Sequence, residues 1–194
     1  MVAQPVPYTT PEEYLAAERA AECKSEYLDG QIYAMAGASP AHNRIAVNVI
    51  REVSLHLKGR PCEAFAGDMR VRVEDTGLYA YPDATIVCGK ALFDEHGDTL
   101  LNPTAIIEIL SPSTMAWDRG VKAEHYRRLD SLREYLLIAQ DRAYVERYVR
   151  QADGSWKLWE ARGMDVSVRI DAVDLDLPLA DVYDRVEVDG APAV

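Results

Sequence analysis

Apolar and polar positions change period several times along the chain, and each change marks an element. "TPEEYLAAERAAEC" opens with Thr10 as an N-cap, Pro11 at the first helical position and Glu13 closing a capping box. It predicts a helix to about Cys23. "SEYLDGQIYAMA" is two strand-like runs joined by Asp29-Gly30, a type I′ hairpin signal. In "SPAHNRIAVNVIREVSLHLKG", Ser39 caps a second helix, Ile45, Val49, Val53 and Leu57 follow at helical spacing, and Gly59 stops it. Strands follow in "CEAFAG", in "MRVRVE" (Met69, Val71 and Val73 opposite Arg70 and Arg72), in "YPDATIVCG" and in "TAIIEIL". "DRGVKAEHYRRL" reads as a helix capped by Asp118. "EYLLIA", "AYVERYVR", "SWKLWEA" and "VSVRI" read as further strands, with Asp153-Gly154 turning one pair. Helices and strands mixed in this way predict an α/β or α+β fold around one central sheet.

Length fits one domain, 1–194, with an N-terminal helix and hairpin extension over 1–36 and an acidic C-terminal extension over 171–194. The final stretch "LDLPLADVYD" reads as docked on that domain. An apolar fraction of 48% and a charged fraction of 27% are ordinary for a globular chain. No apolar run approaches the ~20 residues of a membrane span, and "MVAQPVPYTT" lacks the basic and apolar regions of a signal peptide. Cys23, Cys62 and Cys88 are odd in number, scattered and without a C-x-x-C, so reduced thiols and a cytoplasmic location are expected. A homodimer through an exposed strand or the acidic tail is compatible with the sequence, which does not decide it.

The net charge of −11 argues by itself against a nucleic-acid partner. Between Arg119 and Arg150, however, eight Lys/Arg face five Asp/Glu, so a local basic face is open to this acidic chain. Most such charges in any protein are simply solvated.

One position conflicts with its surroundings. In "AIIEILSPST", Ile106, Glu108 and Leu110 fall on one strand face and Ile107 and Ile109 on the other, so Glu108 sits among apolar neighbours. Ionised groups are rarely buried without compensation. A second acid, Asp83, opens the apolar run Ala84 to Cys88 after Pro82, which cannot donate to a ladder. Two acids side by side on neighbouring strands would repel unless a cation sat between them, and a hard divalent ion is the usual solution. Lys122, Tyr126 and Leu129 share a helix face, which aims Lys122 at the same sheet surface. Each residue also has an ordinary explanation: an arginine-paired strand glutamate for Glu108, a turn acid for Asp83, a solvated lysine for Lys122. Glu26 reads singly as a hairpin surface residue and His42 as an exposed residue near a helix start.

"PDATIV", "AIIEILSPST" and "DRGVKAEHY", with "EYLDGQIYAM" and "SPAHNRI" before them, together resemble the Uma2 (DUF820) family of endonucleases, within the PD-(D/E)xK superfamily. The resemblance covers roughly residues 8 to 160. It implies a restriction-endonuclease-like core, a central mixed β-sheet flanked by helices. Asp83 and Glu108 match the superfamily acids, whereas Leu110 stands where its lysine is expected. In the family resembled, the lysine moves to the next helix, where Lys122 stands. The implied activity is DNA endonuclease, with other nucleic acids as alternative substrates. The implied cofactor is Mg2+ or Mn2+, held by Asp83, Glu108 and the Ile109 carbonyl. Lys122 would assist the attacking water, with Glu26, His42 and Tyr126 as supporting groups.

Other chemistries find no support. The sequence has no G-x-S-x-G, no G-x-G and no P-loop, and its four histidines lack H-x-x-x-H spacing. Ser111, Ser113 and Thr114 read as loop and cap residues rather than nucleophiles, and Trp156 and Trp159 as packing or edge aromatics. Two rivals stay open: a binding module for nucleic acid or protein on a nuclease fold, and a metal hydrolase acting on another phosphoester.

Overall fold

A computed structural model describes residues 8–188. The signal-peptide reading and the ends of both proposed extensions rest partly on positions outside that range.

Helix α1 (Pro11–Ala20) carries the expected capping box: Thr10 Oγ1 accepts from the Glu13 N–H at 3.2 Å, and the Thr10 N–H donates to Glu13 Oε2 at 2.8 Å. It stops three residues short of Cys23. Strands β1 (Ser25–Leu28) and β2 (Gln31–Ala34) form the hairpin, and both turn residues, Asp29 and Gly30, take the positive φ that a type I′ turn demands. Helix α2 (Pro40–Leu57) is capped by Ser39, whose hydroxyl accepts from the His42 N–H.

A six-stranded sheet runs in the order β11-β10-β9-β8-β6-β3. Its members are β3 (Cys62–Ala66), β6 (Ala84–Cys88), β8 (Ala105–Leu110), β9 (Glu134–Ala139), β10 (Tyr144–Arg150) and β11 (Trp156–Arg162). Pairing is antiparallel except for β8 with β9, which makes the sheet mixed. A second sheet, β2-β1-β5-β4-β7, adds β4 (Arg70–Val73), β5 (Leu78–Ala80) and β7 (Thr99–Leu100), so the hairpin is built into a sheet through β5.

The β8 alternation decides how the layers stack. Ile107 and Ile109 enter a core with the α2 stripe Ile45, Val49, Val53 and Leu57, while Ile106 and Leu110 enter a second core with Tyr126, Leu129 and Tyr135. Each such buried side chain contributes about 1.5–3 kcal/mol. Strands β12 (Ser167–Ile170) and β13 (Leu175–Pro178) and helix α5 (Leu179–Val182) pack into the first core, and Asn48 of α2 donates to the Val182 and Asp184 carbonyls.

Two expectations are corrected. Asp118 does not cap a helix. The helical segment begins earlier, as α3 (Met115–Trp117), widens into a π-helical turn (Asp118–Lys122) and continues as α4 (Ala123–Tyr126), so Asp118 is interior and buried. The three thiols are not all free either. β3 and β6 place Cys62 and Cys88 opposite one another with Cα atoms 4.0 Å apart, and the two form a disulfide, leaving Cys23 as the free cysteine. Sequence spacing carries no register, so that pairing was invisible in it. Among the described residues, no helix is long and apolar enough to cross a membrane.

Candidate active site

The antiparallel register of β6 and β8 ends at Ala84 opposite Ile107, and one step further sets Asp83 opposite Glu108. There the ladder gives way to a side chain. Pro82 interrupts the strand, and the Ile109 N–H donates to Asp83 Oδ2 at 2.7 Å. A backbone donor that pairing would have satisfied is thus satisfied by a carboxylate, which fixes Asp83 within a residue of Glu108. His42, on the first turn of α2, brings Nε2 to 3.3 Å from the same Asp83 oxygen.

Glu108 is 3% exposed, on the face of β8 that looks at the π-helical turn. Lys122 Nζ and the Tyr126 hydroxyl both donate to its Oε1, each at 3.1 Å. The Lys122 ammonium also lies 2.8 Å from Glu26 Oε1 and 3.2 Å from Asp118 Oδ1. Glu26 accepts in addition from the Tyr81 N–H and, on Oε2, from the Trp117 indole N–H at 3.1 Å.

Acids outnumber cations here. Glu26, Glu108 and Asp118 surround one ammonium, Asp83 lies beside Glu108, and Asp118 Oδ1, poorly aligned with Lys122, is buried without a hydrogen bond. Burial pushes the Glu108 carboxyl well above its ordinary range; Lys122 opposes this, while Asp118, Asp83 and Glu26 reinforce it. Burial alone would lower the Lys122 ammonium, but Glu108, Glu26 and Asp118 overrule it and hold it charged. Tyr126, raised by burial and then by the Glu108 charge, keeps the proton it donates.

The structure therefore brings Asp83, Glu108, Lys122, Tyr126, Glu26 and His42 together. Glu26 and His42 are not the surface residues their positions suggest: Glu26 is 5% exposed and the His42 side chain 15%. Sequence reasoning missed Asp118 and Trp117. The i, i+4 spacing of Asp118 and Lys122 was the available signal for the first; nothing pointed to the second. About half of the basic face suggested between Arg119 and Arg150 is consumed internally, by Arg119 on Glu146, Lys122 on the site carboxylates, Arg147 on Glu134 and Asp171, and Arg150 on the carbonyls of Arg127 and Leu129, while Arg127, Arg128, Arg133 and Arg142 are exposed.

Among the described residues, no three His, Cys, Asp or Glu side chains form a ready metal cage. The donors nonetheless suit a hard cation, being carboxylates that outnumber the one ammonium among them. Asp83 and Glu108, opposed at the end of the ladder, are the residues that would hold such an ion.

A mixed sheet flanked by helices, with acids meeting at the end of two neighbouring strands, defines a nuclease-like α+β protein. Comparisons place it further. Residues 11–180 match the model of the Uma2 family, described as "Putative restriction endonuclease", and the chain belongs to that family. Two Synechocystis sp. (strain ATCC 27184 / PCC 6803 / Kazusa) proteins are similar: "Uncharacterized protein sll1609", 36% identical over 87% of this chain and 96% of that protein, and "Uncharacterized protein slr1290", 35% identical over 83% and 84%. A crystal structure described as that of "a putative nuclease belonging to DUF820" from Anabaena variabilis ATCC 29413 superposes with a TM-score of 0.74, at 22% identity, over 94% of this chain and all of that one. That likeness establishes the restriction-endonuclease-like fold expected from the sequence.

Proposed function

We propose that this protein is a divalent-metal-dependent endonuclease that hydrolyses phosphodiester bonds in DNA. The observation that carries the proposal is the surplus of buried carboxylate around Glu108, faced by Asp83. Asp83, Glu108 and the Ile109 carbonyl would hold Mg2+ or Mn2+. Bound there, the ion would supply Lewis acidity toward the phosphate and acidify a water.

The chain's own residues do the rest. Tyr126 and Lys122 fix Glu108 from one side, and the Ile109 N–H fixes Asp83 from the other. Lys122 also cancels charge gathering on the phosphate. Its ammonium faces three carboxylates, so it reaches an attacking water only by releasing one, and Asp118 has the weakest hold.

The test is Mn2+ titration calorimetry on wild type and Glu108→Gln, followed by cleavage of plasmid DNA. Saturable binding and metal-dependent nicking that Glu108→Gln abolishes, at unchanged circular dichroism, support the proposal. Wild type that neither binds Mn2+ nor cleaves, alone or with DNA present, overturns it. The internal commitment of Arg119, Arg147 and Arg150 withholds phosphate-binding charge and so favours, of the two binding-module alternatives, the one that recognises protein. In that case Glu108→Gln would leave partner binding unchanged.

A further inference from the structure

Beside the carboxylates lies an aromatic pair that the hydrolytic reading does not use. Tyr33 and Trp117 are 84 residues apart in sequence, yet their ring centroids are 4.7 Å apart with planes tilted by 40°. Both are tied to the site. Tyr33 is the cross-strand partner of Glu26 in the β1–β2 ladder, so the two side chains leave the same face of the hairpin. Trp117 donates its indole N–H to Glu26 Oε2, and Glu26 Oε1 sits 2.8 Å from Lys122. Trp117 is half-buried and immobilised by that bond, while Tyr33 is 40% exposed. The segment continuing from Tyr33 through Ala38 is exposed throughout and leads to α2, where His42 meets Asp83. An aromatic face held rigid from behind and open in front therefore stands on the rim of the proposed hydrolytic site.

A solvent-exposed tyrosine on an edge strand gains little for folding. Beside a site that cuts a phosphodiester, it is placed to stack a nucleobase, because every base has a π-face and stacking asks for no particular sequence. Stacking on Tyr33 also requires the base to be out of a duplex. Resting on the hydrolytic reading for its choice of ligand, we propose that Tyr33, backed by Trp117, is a base-stacking platform, and that the site takes single-stranded DNA, or an unpaired nucleotide, next to the bond it cuts. Tyr33 acts here as a specificity-determining residue and Trp117 as its positioning residue.

The experiment is fluorescence anisotropy with labelled oligothymidine, a strand of equal length made of abasic units, and a duplex, with Ca2+ in place of Mg2+. Tyr33→Ala should weaken oligothymidine binding by roughly 5- to 150-fold, the range expected for one lost base stack. Tyr33→Phe should restore it to within about twofold. Wild type should bind the abasic strand more weakly by a similar factor, and Tyr33→Ala should lose nothing further on it. Equal oligothymidine binding by wild type and Tyr33→Ala overturns the platform, as does an equal loss on the abasic strand, or a wild type that does not bind oligothymidine. Intact stacking without Mn2+-dependent cleavage would sink the hydrolytic reading alone. Cleavage with binding indifferent to Tyr33 would sink the platform alone.

Discussion

On one side of Tyr81, Arg70 lies in a network where donors match acceptors; on the other, Lys122 lies among more carboxylates than it can serve. The Arg70 guanidinium reaches Thr99 Oγ1 at 3.0 Å, the Tyr81 hydroxyl at 2.9 Å and Asp98 Oδ1 at 2.7 Å. Asp98 takes a second guanidinium, that of Arg19, and Glu18 is filled by Ser25 and the Tyr81 hydroxyl. The Tyr81 N–H, in turn, donates to Glu26 in the Lys122 cluster. Both clusters are ionic and built on a buried cation, and they share a residue. A closed network holds a fold together, and replacing it with apolar groups can be neutral. An open one, with three carboxylates around a single ammonium and Asp83 beside them, favours whatever adds positive charge, a proton on Glu108 or a cation. Counting buried charges says little; counting which acceptors still want a donor separates scaffold from candidate site.

The sharpest way to break this contrast is Lys122→Met. It leaves Glu26, Glu108 and Asp118 buried with no cation and should cost about 3–5 kcal/mol in chemical denaturation, with cleavage lost as well. A cost under about 1 kcal/mol would mean that the cluster is open to water and the contrast unreal.

Arg70→Met comes next. Asp98 is 38% exposed in its side chain and retains Arg19, so the penalty should be nearer 1.5–3 kcal/mol, the cost of lost hydrogen bonds to a charged group. DNA cleavage should be unchanged. A loss of activity without a loss of stability would show that the two clusters are one functional unit joined through Tyr81.

Glu108→Gln has a smaller effect on stability, and of opposite sign. It removes one charge from an overfull cluster, so the apo protein should be as stable as wild type or more stable by about 1 kcal/mol, while Mn2+ binding disappears. Marked destabilisation would mean that Glu108 is structural.

Acid titration resolves the smallest difference. The hydrogen bond from Arg19 holds the Asp98 carboxyl below its usual range, with Arg70 and Thr99 assisting against burial. A depressed folded value makes a contribution that is complete above the unfolded carboxylate value, near 3.9, and fades as pH falls through the folded one. The stability gap between wild type and Asp98→Asn should therefore be flat above about pH 5 and narrow below pH 4. A gap that widens in acid would reverse the assignment.

What the sequence made legible was local. Thr10 with Glu13, Asp29-Gly30 and Ser39 each fix an end or a turn through contacts within four residues, and each appears as expected. The β8 alternation was equally legible, since a strand's period is set by its own backbone; it put Glu108 on the side of Tyr126 and Leu129. What depends on register between distant segments was not. Glu26 looked like a hairpin surface residue because the groups that cover its side chain, Lys122 and Trp117, come some ninety residues later. Cys62 and Cys88 pair only once β3 lies on β6. Asp118 misled for another reason: its type and position suit a cap, and the helix that begins before it at Met115 starts with no side-chain cap to announce it.

The π-helical turn has a consequence in the language of genes. A π turn holds one residue more than the α-helix needs, and each helical residue advances about 100° around the axis. Losing one codon, that of Gly120 for instance, would relax the segment into an ordinary helix. Because the π turn absorbs the extra residue, Trp117 on one flank and Ala123 and Tyr126 on the other would keep their faces, and the change would fall within the turn, where Asp118 and Lys122 would stand three apart in place of four. An in-frame deletion there would thus alter the turn that carries Lys122 of the proposed site while leaving the faces on both flanks of the fold in place.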